Sequence, residues 1–571
     1  MGGAGPMGRL LVRRAGWEKI VATVVGRSVA ISLSLGFATL AGAQSANWIS
    51  QFGTADVESG AKVAADGVGG VFVATGSGAA VFGPSTVLLA RYDGSGQQVW
   101  TQTIASGGRD EIGGAASDGT GGLLACGTTD GSLGGPSAGG SDGWVGRFDA
   151  AGGQVWLTQI GSTVFDSCLA VAEDGAGGVF VCGTTQGDLS GTSGSLNDAW
   201  LARLDATGNV TWIRQYDSGA TETATGLAVD GVGGLYLCGT TTGDLFGSAL
   251  GQSDAWVARL DLAGNPIWGE QWGSMDIESA PLVALDGAGG IFVAGNTNGD
   301  LGISSAGSGD VWITRFNQFG NLTWLRQFGS PENDACADLA SDLTGGIYLT
   351  GSTTGVLGAS SLGGLDAWVA RYDLDGDRTW LRQFGSTAAD RASGVAVFQP
   401  GQFFLGGSTG HELAGPSAGQ DDAWVASFDS LLAATYCSSP ANSTGAPAAL
   451  MALGSSAVGM NRLRLRCESL PRFVFGYVLA SRTQGFAANP SGSQGNLCVS
   501  GAVGRFVGPG QVQNSGGNGV IELAVDLSAL PQPLGFVSAQ AGETWNFQTW
   551  FRDANPTVTS NFSPGVAVHF F

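Results

Sequence analysis

An all-β fold, a seven-bladed β-propeller followed by a small β-sandwich domain, is predicted by three features of the sequence. A tryptophan opens the same motif at Trp48, Trp100, Trp156, Trp212, Trp268, Trp324 and Trp380, first 52 residues apart and 56 thereafter. Each interval holds four short apolar runs separated by Gly-rich turns, the pattern of a four-stranded blade. The period stops at Asp429, and strand-like runs of another pattern follow. The 571 residues include 99 glycines, but 43% are hydrophobic. Gly and Trp at fixed places in a repeat indicate packed short strands rather than disorder. The formal net charge of -22 excludes a surface built to attract nucleic acid or anionic membranes. It suits cations, basic partners or plain solubility.

Taken in order, the chain opens with a basic region from Arg9 to Arg27, an apolar run from Ser28 to Leu40, and Ala41-Gly42-Ala43. Residues 1–43 read as a secretory signal peptide cleaved after Ala43. The run is too short to span a bilayer comfortably. No later stretch is apolar enough to cross a membrane, and no Cys follows to carry a lipid. The mature chain is expected from Gln44, secreted or at the cell surface.

Residues 44–429 hold the repeats. In the fourth unit the expected strands are Thr225 to Val229, Leu235 to Thr240, Asp254 to Asp261 and Pro266 to Trp272. Asp230-Gly231-Val232-Gly233-Gly234 and Ala263-Gly264-Asn265 are turns. The seventh unit stops after its third strand. The opening motif, residues 48–52, is therefore expected to supply the missing outer strand of the last blade and so remove an exposed edge.

These motifs, Trp-x-x-Gln-Phe-Gly-Ser, Ala-x-Asp-Gly-x-Gly-Gly-x-Tyr-x-x-Gly-x-Thr and Asp-Ala-Trp-Val-Ala-Arg-Tyr-Asp, resemble the bacterial SBBP repeat of secreted and surface proteins. The resemblance implies a seven-bladed propeller and an extracellular setting, and brings no catalytic residues. The first unit departs from it with Leu88 in place of Trp. The seventh departs with Phe398-Gln399-Pro400-Gly401 at the turn and Ser427 in place of Arg.

The most regular chemical feature is acidic. Ten residues after each opening Trp stands Glu58, Asp110, Asp166, Glu222, Glu278, Asp334 or Asp390. A second carboxylate precedes the third strand at Asp142, Asp198, Asp254, Asp310, Asp366 and Asp422. Strand order places all thirteen on one face, either fixing turns through loop N–H groups or binding a cation or ligand. Arg91, Arg147, Arg203, Arg259, Arg315 and Arg371 are expected to pair with an acid or stack on a Trp. Asp373-Leu374-Asp375-Gly376-Asp377 resembles the start of a calcium loop but lacks the downstream Glu, so no metal site is assigned. Cys126, Cys182 and Cys238 read as buried fillers, and Cys168 is within conceivable reach of Cys182. His411 and His569 are the two histidines. That scarcity argues against a Ser-His-Asp site or a His-ligated metal, and no cofactor is expected.

Residues 430–447 read as a linker and 448–571 as the β-sandwich. Its expected strands are Arg462 to Cys467, Phe473 to Leu479, Val520 to Leu527, Thr544 to Phe551 and Val566 to Phe570. This part resembles a C-terminal module of secreted bacterial proteins through Tyr436-Cys437, Gly495 to Cys498 and Gly542 to Gln548. The resemblance favours a Cys437–Cys498 disulfide, with Cys467 free and buried. The function expected is a secreted, non-enzymatic scaffold, monomeric, binding a polysaccharide or cell-envelope protein through the acidic face. The alternatives are an extracellular carboxylate-dependent enzyme acting on polysaccharide and a purely structural envelope component.

Overall fold

The computed structural model describes residues 46–571 except 79–82, 192–195, 303, 359, 360, 362, 400, 430–432, 454–457, 555–557 and 571. The expected signal peptide lies outside the described residues, as does Pro400 of the seventh turn. The structure is all-β with almost no helix: Val458–Met460 and Pro490–Gly492 are single 3₁₀ turns.

Seven four-stranded antiparallel sheets fill the repeat region among the described residues. The fourth consists of Glu222–Val229, Gly234–Thr241, Asp254–Asp261 and Pro266–Trp272. Its first strand begins at the acid, three residues before the expected start, because Glu222 already pairs with Thr241. The second and third strands are covered on both faces by neighbouring sheets. That is why they read as continuous apolar runs, Leu235 to Cys238 and Ala255 to Ala258, all buried. The first strand of every sheet carries a register shift, between Ala224 and Gly226 in this one. Such bulges bend a strand and let seven of them crowd together.

The seventh sheet is assembled from both ends of the region. Asp390–Gln399, Gln402–Thr409 and Asp422–Asp429 are joined by Ala46–Phe52, which pairs with Asp422–Asp429. Trp48 then reaches the first sheet: its indole N–H donates to the Gly94 carbonyl at 3.0 Å, and its ring stacks on Tyr92. The same contact recurs from sheet to sheet. Trp100 donates to Ala150, Trp156 to Ala206, Trp268 to Gln318 and Trp324 to Leu374. The opening Trp of the first six sheet-to-sheet steps, Trp48 to Trp324, thus lies under the next sheet's hairpin turn; Trp380 does not, because the seventh sheet takes its outer strand from the N-terminal end. At Gly264 in one such turn φ is +80° and a Cβ would fall 3.0 Å from the Trp212 ring, so glycine is required there twice over.

Residues 433–570 form a second core. Ala433–Tyr436, Gly565–His569, Thr544–Asp553, Phe475–Ser481 and Gly504–Arg505 pair in that order, with Gln513–Asn514 and Thr559–Phe562 at the margins. Ala449–Leu453, Arg464–Glu468 and Ile521–Ala524 make a three-stranded sheet. Leu450, Leu465, Ile521 and Leu523 of the smaller sheet share one buried cluster with Val478, Trp545, Phe547 and Val566 of the larger. Part of the stretch expected as linker is a strand here: Thr435 and Tyr436 pair with Val566 and Gly565. Cys437 and Cys498 are joined by a disulfide, with Cα atoms 6.2 Å apart, and Cys467 is free and buried. No helix among the described residues is long and apolar enough to cross a membrane.

Candidate functional site

The thirteen acids singled out by their spacing are all buried, none more than 1% exposed. Their partners are local. The first set accepts from a Ser or Thr four residues earlier. Glu278 takes the Ser274 N–H at 2.8 Å, the Ser274 hydroxyl at 2.7 Å and the Thr297 hydroxyl at 2.7 Å. Asp110 is held the same way by Ser106 and Thr129, Glu222 by Ser218 and Thr241, and Glu58 by Thr54 and Ser77. Asp166, Asp334 and Asp390 each accept the hydroxyl of Ser162, Ser330 and Ser386 at 2.8 Å.

The second set is bound to the Gln three residues after the opening Trp. Gln271 Nε2 donates to Asp254 at 2.9 Å and to the Gly243 carbonyl at 2.9 Å, while its Oε1 accepts the N–H groups of Leu245 and Phe246. The pairs Gln159–Asp142, Gln215–Asp198, Gln327–Asp310, Gln383–Asp366 and Gln51–Asp422 repeat the contact. In the first unit Thr86 and Thr103 stand at the two positions. The acid and its Gln are absent together, which marks them as one device. Gln51 crosses from the first strand of the chain to the last sheet, and the neighbouring His411 contributes only its carbonyl.

The two sets meet at the sheet junctions. The N–H of each first-set acid other than Asp110 donates to the carbonyl just before a second-set acid: Glu278 to Ser253, Asp166 to Ser141, Glu58 to Asp421. A glycine separates the carboxylates. A Cβ on Gly53 would lie 2.4 Å from Asp422 Oδ1 and 2.5 Å from Glu58 Oε2. At the junction of the third and fourth sheets Asp217 takes that glycine's place, and Asp198, Asp217 and Glu222 bring three carboxylates within 4.8 Å of one another. Burial raises the Glu58 carboxyl above its usual range, against hydrogen bonds from Thr54 and Ser77, and the charge of Asp422 adds to the rise. Asp166 is raised by burial in the same way, with Asp142 as its neighbour.

A pH dependence follows. A carboxyl whose folded value lies above its unfolded value favours the fold most at low pH, and that contribution is lost as pH rises through the folded value. Glu58→Gln has no charge to lose or gain. Its melting temperature relative to the parent should therefore climb between about pH 4 and pH 7, on top of a constant penalty for the altered hydrogen bonds. Thermal melts over that range check it, and a difference that stayed flat or fell would be the wrong sign.

The arginines pair with acids, as the sequence suggested, but with the acids of the Asp-Gly turns. Arg91, Arg203, Arg259, Arg315 and Arg371 reach Asp66, Asp174, Asp230, Asp286 and Asp342, and Arg147 lies 3.5 Å from Asp118. The rings beneath three of them are Phe72, Phe180 and Tyr236 rather than Trp, because the second-strand aromatic faces that turn. The Cys168 thiol is set against Cys126 of the preceding sheet, and register pairs it with Gly183 rather than Cys182. The inner strands break the repeat at Lys62, one of two lysines in the chain. Its ammonium donates to the Ser393 carbonyl at 3.2 Å. Nearby Asp338 accepts the N–H groups of Val395 and Leu339; burial raises its carboxyl and the Lys62 charge opposes the rise. A cleft of about 220 Å³ lies beside Glu270 and Asp300, below the size of typical small-molecule sites.

Residues 211–247 and 323–358 match the family model described as a beta-propeller repeat, SBBP. Among curated proteins the chain is similar to the regulatory protein FlaEY of Caulobacter vibrioides, 28% identical over 309 residues, which is 45% of this chain and 31% of that protein. The chain thus spans about a third of that relative's length. Among solved structures it is similar to the β-propeller domain of the Trilobed protease from Pyrococcus furiosus, at 7% identity over 66% of this chain and 94% of that one, with a TM-score of 0.37. It is also similar to the polysaccharide lyase Uly1, at 11% identity over 66% and 90%, with a TM-score of 0.38. A protein of unknown function from Dyadobacter fermentans gives 11% identity over 68% and 99%, with a TM-score of 0.38. The repeat region is a β-propeller.

Proposed function

We propose that the chain is a secreted, non-enzymatic scaffold: a seven-bladed β-propeller closed by its own N-terminal strand, carrying a C-terminal β-sandwich. It binds a surface macromolecule, a polysaccharide or an envelope protein, through the face on which the thirteen acids lie. The observation that carries this reading is that all thirteen acids are buried and each accepts from a neighbouring Ser, Thr or Gln side chain. A general acid and base need carboxyls that reach a substrate, and these reach Ser, Thr and Gln of their own repeat. What that face offers a partner is its loop tips, where Val164, Phe165, Leu250 and Met275 are exposed. The basic and apolar leader before Gln44 and the Cys437–Cys498 bond support a place outside the cytoplasm.

The test is a glycan array and an envelope-protein pull-down with the mature chain, run beside a polysaccharide hydrolysis screen. Binding without turnover is expected, weakened by Phe165→Ser or Met275→Ser at unchanged melting temperature. Turnover abolished by a single substitution among the thirteen acids would overturn the scaffold in favour of an enzyme.

A further inference from the structure

The outer strands break their pattern at Glu270. Two residues after each opening Trp stand Ser50, Gln102, Thr158, Arg214, Glu270, Arg326 and Arg382. Each of the three arginines lies over a neighbouring ring, Arg214 over Trp212, Arg326 over Trp324 and Arg382 over Phe384. From this position Arg326 Nε also donates to the Gly376 carbonyl of the next sheet at 3.1 Å, and the Thr158 hydroxyl donates to the Gly208 carbonyl at 2.7 Å. Glu270 is the one acid of the series. The equivalent carbonyl of the fifth sheet is that of Gly320, and a carboxylate has no proton to give it. Glu270 stands between two rings turned to the fifth sheet: Trp268 donates to the Gln318 carbonyl, and Trp272 packs on Trp312 and Phe316. Alternation along the strand puts Glu270 on that face with them.

Here the fourth and fifth sheets leave the cleft of about 220 Å³. Its apolar walls are Trp272, Phe316, Leu322 and Leu325, and its lining also includes Glu270 and Asp300 but no basic side chain. Too small for a typical small molecule, it has the make-up of a slot for one long cationic side chain. The apolar walls suit the stem, the carboxylates the head, and the indole rings beside Glu270 a guanidinium face. We propose that the cleft receives an arginine side chain of a protein partner, which supplies from outside the cation that the third, fifth and sixth sheets carry on their own strands. A guanidinium has five N–H groups, enough for Glu270, Asp300 and the Gly320 carbonyl together, where an ammonium has three. The proposal rests on the reading of the chain as a binding scaffold and narrows the partner at this cleft to a protein.

The experiment titrates two peptides against the mature full chain, with binding read from their NMR line widths. The probes are acetyl-Gly-Arg-Gly-amide and its citrulline counterpart, which keeps the shape and loses the charge. The arginine peptide should bind and the citrulline peptide should not. Glu270→Gln and Asp300→Asn should each weaken binding about tenfold, the worth of one charge-assisted hydrogen bond. Glu270→Arg restores the residue of the neighbouring sheets and should abolish binding, at a melting temperature at or above the parent's. Asp244→Asn removes a matched charge outside the cleft and should leave the affinity unchanged. Equal binding of the two peptides, no binding of either up to about 10 mM, an equal loss in Asp244→Asn, or binding that survives Glu270→Arg would each overturn the proposal. A partner from the pull-down or glycan array that Glu270→Arg still binds would remove this site and leave the scaffold standing.

Discussion

A chain beginning at Gly53 should melt at least about 10 °C below one beginning at Gln44, or aggregate. The lost strand, Ala46–Phe52, holds the outer edge of the seventh sheet through pairs from Trp48–Ser427 to Phe52–Ala423. Its side chains do more than cover that edge. Trp48 packs on Tyr92 and Phe404 and donates to Gly94 of the first sheet, and Phe52 packs on Tyr92. Gln51 holds Asp422 and the N–H groups of Leu413 and Ala414. Three half-buried apolar side chains, Trp48, Ile49 and Phe52, at about half of the ~1.5–3 kcal/mol of full burial each, are a sizeable share of a typical folding free energy of about 5–15 kcal/mol. The exposed edge of Asp422–Asp429 then becomes a template for other chains. A synthetic peptide of residues 44–52 should restore much of the loss by adding its strand in trans. An unchanged melting temperature, or no response to the peptide, would show that this strand is not what closes the series.

The repeat made much of this legible. Its period located the strands, and in the fourth unit the third and fourth strands fall on the expected residues. It also located the thirteen acids, because a carboxylate ten residues after each Trp is a matter of counting. What counting could not show was their burial. A sequence position carries no record of which donors surround it, and an overall charge of -22 suggests solvent rather than interior. The signal was nevertheless in the motif. The Gln and Ser of Trp-x-x-Gln-Phe-Gly-Ser are the partners of the two acid sets, and the first unit drops Gln and Asp together at Thr103 and Thr86. The contact of Arg462 with Asp373 spans 89 residues between two domains, and no local pattern specifies it. Ala433–Tyr436 was hidden in a Ser, Ala and Pro-rich stretch, since its pairing with Gly565–His569 is equally distant.

The Gln–Asp pair is where the repeat concentrates its buried polar risk, and Gln271→Leu exposes it. The change keeps the side chain's approximate volume and deletes four hydrogen bonds at once. Asp254 keeps only the Leu250 N–H on that oxygen, and the Gly243 carbonyl and the Leu245 and Phe246 N–H groups lose their partner. Removing one partner of a buried charged contact costs about 3–5 kcal/mol, and each orphaned buried group adds about 1–3 kcal/mol where water cannot reach it. The first unit shows how the fold dispenses with the pair: it replaces both members, Asp by Thr86 and Gln by Thr103. Copying that solution into the fourth unit makes the prediction sharper. Gln271→Thr and Asp254→Thr should each destabilise strongly alone. Together they should cost at least about 1 kcal/mol less than their sum, because the double change leaves no buried carboxylate wanting a donor. Urea unfolding of the four proteins measures the coupling. Simple additivity would mean that the Gln and the Asp answer to different partners, and that their joint absence from the first unit is coincidence.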